Sequence, residues 1–196
     1  QMATNPNKGT EMAMIDCCMV VATTTGDSPK SIGITSGVTI GVEPQIETTE
    51  AVKLIIKGVL KAQKRERQTI TGHTITLTDN LTILELLEIL QGGTVTRDPE
   101  SHEITGYTPP VTGSDYNPTK FTLDVYSQQL DEGGNVLQYE KTSYPGCTGQ
   151  PIAFGAEDDV FRVNSYTINS APGKGEAPYT ISFVEELPTL TEQTFS

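Results

Sequence analysis

A change of period inside one stretch, Thr69 to Thr94, sets the tightest limit on how this chain can fold. In its first half Ile70, Ile75 and Leu77 stand among threonines at 69, 71, 74, 76 and 78, the alternation of a strand with one wet face. The spacing of apolar residues then moves from two to about 3.6. Asp79 and Asn80 can accept free N–H groups at a helix start, and Thr82 with Glu85 has the spacing of a capping box. Gly92-Gly93 supplies a left-handed stop. The reading is one strand followed by one helix, Leu81 to Gln91, opening at about residue 80.

Seven of the eleven residues of that helix are Leu or Ile. Thr82, Glu85, Glu88 and Gln91 recur every third position and drift around the axis, so the apolar arc is wider than one sheet can cover. Two covers present themselves: another subunit, or the long loops of the same chain.

With 196 residues the chain has the length for one domain with a real core and for additional arms or loops. No run of eighteen apolar residues occurs and no basic-then-apolar leader opens the chain, so a soluble, unexported protein is expected. The net charge of −12 argues against wrapping duplex nucleic acid by phosphate neutralisation. The bases are unevenly placed. Lys53, Lys57, Lys61, Lys64, Arg65 and Arg67 fall within fifteen positions, and with Glu66 they give +5, leaving −17 for the rest. Such polarity suits an acidic neighbour of the same kind, although a solvated face is the commoner meaning of a charge run.

Cys17 and Cys18 are adjacent, Cys147 stands alone, and no Cys-x-x-Cys is present, so three reduced, buried thiols are expected. Two histidines, His73 in a strand and His102 in a loop, make a zinc site improbable. No cofactor is expected, and no enzyme. Glu85 and Glu88 share a helical face and Glu157, Asp158 and Asp159 cluster, but such carboxylates are commonplace and no general-acid partner is indicated. Gly173-Lys174-Gly175 lacks the spacing of a phosphate loop and reads as a turn.

Taken in order, residues 1–30 read as a polar arm and a first strand, with an apolar patch from Met12 to Val21. Ile32, Ile34, Val38, Ile40 and Val42 read as strand pieces broken by glycines. Residues 51–64 fit either a helix or two strands of a long hairpin. The hairpin, with its turn at Lys64-Arg65-Glu66-Arg67 and Thr69 to Thr78 returning, is preferred. A long loop spans 94–120, rich in Pro and Gly. Two further hairpins follow: Phe121 to Leu130 returning as Val136 to Thr142, and Val160 to Asn169 returning as Tyr179 to Val184. Residues 188–196 read as a polar, extended second arm, leaving 31–187 as the domain. The fold class is mainly β: a β-sandwich or partial barrel with one flanking helix, a long hairpin, a long middle loop and extended termini.

This order of features resembles the major tail tube protein of long-tailed, non-contractile bacteriophages. The resemblance is carried by Thr71-Gly72-His73-Thr74-Ile75-Thr76-Leu77-Thr78-Asp79-Asn80, by Leu90-Gln91-Gly92-Gly93-Thr94, by Tyr107-Thr108-Pro109-Pro110, and by Tyr179-Thr180-Ile181-Ser182-Phe183-Val184 before Leu187-Pro188. It covers roughly residues 38 to 190, and its motifs are structural. The resemblance implies a virion tail protein assembled in the host bacterial cytoplasm. Hexameric rings would stack into a hollow tube that holds the tape-measure protein and conducts genomic DNA during ejection. Tail terminator and distal tail proteins would bind its ends, and no membrane is involved. It also implies that the helix, with Leu84 and Leu87, sits at the subunit boundary, and that an acidic lumen repels DNA. Lys53, Lys57, Lys61, Lys64, Arg65 and Arg67 are then expected to meet Glu157, Asp158 and Asp159 of the adjacent ring. Two alternatives stay open: the tube of a contractile tail or of a phage-like secretion or bacteriocin particle, and a monomeric β-sandwich binding module.

Overall fold

The computed structural model describes residues 12–35, 38–116 and 118–190. Alternating apolar and Thr-rich sequence becomes strand almost throughout: β1 (Met14–Thr24), β2 (Ser31–Ile34), β3 (Thr39–Thr49), β4 (Val52–Ile56), β5 (Val59–Lys64), β6 (Arg67–Asp79), then α1 (Leu84–Gln91). After the helix come β7 (Thr94–Arg97), β8 (Ile104–Thr108), β9 (Phe121–Leu130), β10 (Val136–Gly149), β11 (Asn164–Ser170) and β12 (Thr180–Val184). Eight strands form one antiparallel sheet in the order β2-β1-β9-β10-β11-β6-β3, with β12 also on β10. The fold is mainly β and sandwich-like with one helix, and the sheet does not close into a barrel.

Strand β10 is the corner of this arrangement. Its first half pairs with β12, Tyr139 opposite Val184 through Ser143 opposite Thr180, and its last residues pair with β11, Cys147 opposite Ser170. The switch falls at Pro145-Gly146, where Gly146 has φ 59° and the register with β9 shifts. The extra residues bend the strand. This corrects the expectation that 160–169 returns as 179–184. A 14-residue β10 offers an edge long enough for both, and β12 takes the nearer half. Residues 160–163 lie outside the strand, which begins at Asn164.

The β9–β10 hairpin forms as expected and extends to Gly149. Asp131 Oδ1 closes its turn by accepting from the backbone N–H groups of Gly133 and Asn135, each at 2.8 Å, and these bonds hold its carboxyl below the usual range. The 94–120 loop is structured in its first half, because β7 and β8 pair as a small hairpin around a turn held by Asp98. Val95 and Tyr107 pair there, and both are half-buried. Of the terminal arms, residues 1–11 and 191–196 lie outside the described residues. Leu187 and Leu190 pack against Met19, Val21 and Tyr126, so the start of the second arm lies on the domain instead of leaving it.

The helix shows how tertiary contacts overrule a local signal. It begins at Leu84 with Ile83 as its cap and no side-chain capping bond. Thr82 Oγ1 is taken by Arg162 at 2.5 Å and Asn164 at 3.0 Å, and Glu85 is paired with Arg97. The capping box therefore never closes. The stop does form, with Gly92 and Gly93 at φ 79° and 91° and the Gly92 N–H on the Glu88 carbonyl. Leu86, Leu87, Ile89 and Leu90 are buried in the same core as Ile75, Leu77, Phe121, Leu123, Tyr166 and Ile168.

The second cover for the helix comes from its own chain. Gln91 donates from Nε2 to the Tyr107 hydroxyl at 2.9 Å and accepts from the Ile152 N–H at 3.0 Å. The Tyr107 hydroxyl in turn donates to the Gly92 carbonyl. Tyr116 reaches across the carbonyls of Leu90 and Gly149. Gly149 is obligatory here: a Cβ at that position would run into the Leu90 backbone. The β7–β8 hairpin and the following loop thus roof the helix. Leu87 is 1% exposed and has no surface to give a neighbour, so it leaves the expected subunit boundary; Leu84 is half-buried against the same core.

Candidate functional site

The hairpin expected around 51–78 exists, but its geometry differs from the reading above. Its tip is Lys57-Gly58, with φ 50° and 77°, a two-residue turn of the kind that matches strand twist. Lys64 to Arg67 is not a turn, and Thr69 to Thr78 returns against β3, not against 51–64. The register is continuous through the break in pairing. Thr49 faces Arg67 and Val52 faces Lys64, so the two positions advance in step across the gap. Residues 39–79 are therefore one long antiparallel ribbon whose far part, β4–β5, projects beyond the sheet.

Every residue from 41 to 71 is exposed. Among them are Val52, Leu54, Ile55, Ile56, Val59 and Leu60, with Val52 63% exposed, and Ile46 and Ile70 nearer the base. Val52, Leu54 and Ile56 alternate along β4, and Val59 pairs with Ile56, so these four share one face. A two-stranded ribbon alone is at best marginally stable in water. Full burial of one such aliphatic side chain stabilises by roughly 1.5–3 kcal/mol, so six of them half-covered would contribute several kcal/mol. Lys53, Lys57, Lys61, Lys64, Arg65 and Arg67 all lie on this arm, as the sequence places them.

Glu157, Asp158 and Asp159 sit in the irregular, exposed segment 150–163 between β10 and β11. The structure does not bring them to the basic cluster: the ion pairs Arg97–Glu85 and Lys141–Asp124 among the described residues involve neither group. The sequence reading missed the apolar content of this segment. Phe154, Val160 and Val163 are exposed and Phe161 is 94% exposed. The signal available was Phe154, Val160, Phe161 and Val163 flanking three acids, although the reading assigned 160–163 to a strand.

Elsewhere the molecule offers a groove of about 690 Å³ between the helix, β7 and the β1–β2 turn, lined by Lys30, Ile83, Glu85, Glu88, Ile89 and Arg97 among others. His73 is a buried face residue, its ring meeting the edges of Tyr144 and Tyr179 at 5.7 and 5.5 Å. Burial pushes the Cys147 thiol up to about 11, while Cys17 and Cys18 are half-buried, less covered than expected, and all three are free. Among the described residues no group of three or more His, Cys, Asp and Glu is placed to hold a metal ion. None of the described helices is long and apolar enough to cross a membrane.

Comparison with known protein families finds no family that matches the chain, and comparison with curated proteins finds no match. The candidate site therefore rests on its own chemistry: a basic, apolar arm that the described residues leave uncovered.

Proposed function

We propose that this protein is a structural subunit that assembles with copies of itself into rings and stacks them into a hollow tail tube of the long-tailed bacteriophage kind. One observation carries the reading. The ribbon beyond the sheet keeps six large aliphatic side chains in water at its tip, and a solitary copy gains nothing from them. The open sheet adds support, because among the described residues β2 and β3 end it as unpaired edges that a neighbouring copy could extend. The family resemblance supplies the tube. In that role the charge outside the arm, −17 by sequence, makes a lumen that repels DNA and lets it slide, with the tape-measure protein held there during assembly.

Negative-stain microscopy of the purified chain, with sedimentation velocity across concentration and ionic strength, tests this. Stacked rings or hollow tubes are expected. A compact single copy under every condition overturns it.

A further inference from the structure

We propose that segment 150–163 of one copy is the seat for the arm tip of the next, so that the assembly grows head to tail along the axis of the β3–β6 ribbon. This rests on the self-assembly reading above and adds where the arm lands.

The two surfaces are complementary in both chemistry and charge. The arm tip presents Val52, Leu54, Ile56 and Val59 on one face with Lys64, which pairs with Val52, and with Lys61 at the bulge beside Ala62. The segment presents Phe154, Val160, Phe161 and Val163 around Glu157, Asp158 and Asp159. Arg162 does not offset those acids by reaching outward. Its guanidinium donates to Thr82 Oγ1 at 2.5 Å and lies 4.8 Å from the Phe154 ring centre, which pins the segment to the helix start and leaves Phe161 outside.

Topology decides that the contact is between copies. Asn164, the first residue after the segment, faces Asp79 at the end of β6, and Arg162 is tied to Thr82 just beyond it. The arm tip lies past the opposite end of β6, beyond Arg67. From Asp79 back to Val59 the strand path is about 65 Å at about 3.3 Å per residue. Seat and tip are thus at the two ends of one ribbon and do not meet within a copy. Because donor and acceptor are different surfaces, the contact is heterologous: it repeats as a ring or an open stack and does not stop at a dimer. The charges orient the encounter and are weakened by salt, while the apolar side chains hold it.

The test reverses charges on the full chain at positions whose backbone tolerates any L-residue, avoiding Lys57 and Asp159 with φ 50° and 59°. One variant carries Lys61→Glu and Lys64→Glu, a second Glu157→Lys and Asp158→Lys, a third all four, and a fourth Phe161→Ser. Pelleting and sedimentation velocity read the concentration at which polymer first forms. Either charge pair reversed alone, and Phe161→Ser, should raise it by at least about tenfold, a change of about 1.4 kcal/mol per contact. The four-fold variant should return to within about threefold of the parent. If the parent polymerises and the reversals or Phe161→Ser leave it undiminished, the seat is refuted while self-assembly stands. Loss on each reversal without recovery in the four-fold variant also refutes the pairing. A parent that never polymerises overturns the tube reading, and this inference with it.

Discussion

Helix α1 and the arm are chemically close relatives with opposite fates. Seven of eleven residues from Leu81 to Gln91 are Leu or Ile, and six of ten from Ala51 to Leu60 are Val, Leu or Ile. Yet Leu86, Leu87, Ile89 and Leu90 are almost wholly buried, and all six on the arm are exposed. The difference lies in backbone bonding and not in composition. A helix closes its hydrogen bonds within itself, so it can be set down wherever two layers leave a gap, and here the sheet and the β7–β8 roof supply both. The arm closes its bonds across a two-stranded ladder that runs past the last neighbouring strand. Beyond that point no second layer among the described residues covers either face. Apolar density therefore marks burial only where the fold provides an opposing surface, and elsewhere it marks a surface awaiting one.

Several substitutions would break or sharpen this contrast. The largest effect on folding is expected from Leu87→Ala, which empties a fully packed site in the core and should cost about 3 kcal/mol in urea unfolding. An undiminished midpoint would mean that the helix is not core. Next is Gly149→Ala, whose new methyl would meet the Leu90 backbone; forced separation of β10 from the helix should cost about 2 kcal/mol by the same assay.

A similar size is expected from pH. Cys147 holds its proton to about 11 in the fold, against an ordinary value near 9.0. The unfolded chain then binds fewer protons between those values, so stability falls as pH rises through that window and is unaffected by this thiol below it. The fall attributable to it should be about 2 kcal/mol, and Cys147→Ala should flatten the pH 9–11 slope relative to the parent. An identical slope in both would break the assignment.

Smaller still is Tyr107→Phe, which removes the hydroxyl shared by Gln91 and Gly92 and loosens the helix roof by about 1 kcal/mol. The smallest change in folding, within about 0.5 kcal/mol, is expected for Leu54→Thr with Ile56→Thr on the arm, since threonine keeps the strand preference. The same pair should nonetheless abolish polymer. Destabilisation comparable to Leu87→Ala would show that the arm is packed after all.

Much of the fold was legible in residue order. The strand-to-helix switch, the Gly92-Gly93 stop, the β9–β10 hairpin and the basic run on an arm all follow from local spacing. What went astray did so for tertiary reasons. The 94–120 stretch looked like loop because its prolines and glycines outweigh two short strands, and only the helix they roof makes those strands worth forming. The helix start slipped from about 80 to Leu84 because Thr82 and Glu85 were claimed by Arg162, Asn164 and Arg97. The β12 partner was misassigned because nearness in sequence favoured β11, while β10 had the free edge. The apolar side chains of 150–163 went unread as a surface because exposure is not a local property.

The sequence by itself settled most of the long strands, the one helix and where the positive charge gathers, because period, turn chemistry and charge act over a few neighbouring residues. Which apolar side chains are hidden, where the ribbon turns, and which strand each edge finds were decided only by the tertiary structure. Those outcomes depend on surfaces brought together from distant parts of the chain, and hydrophobic cover is a property of the pair of surfaces, never of one alone.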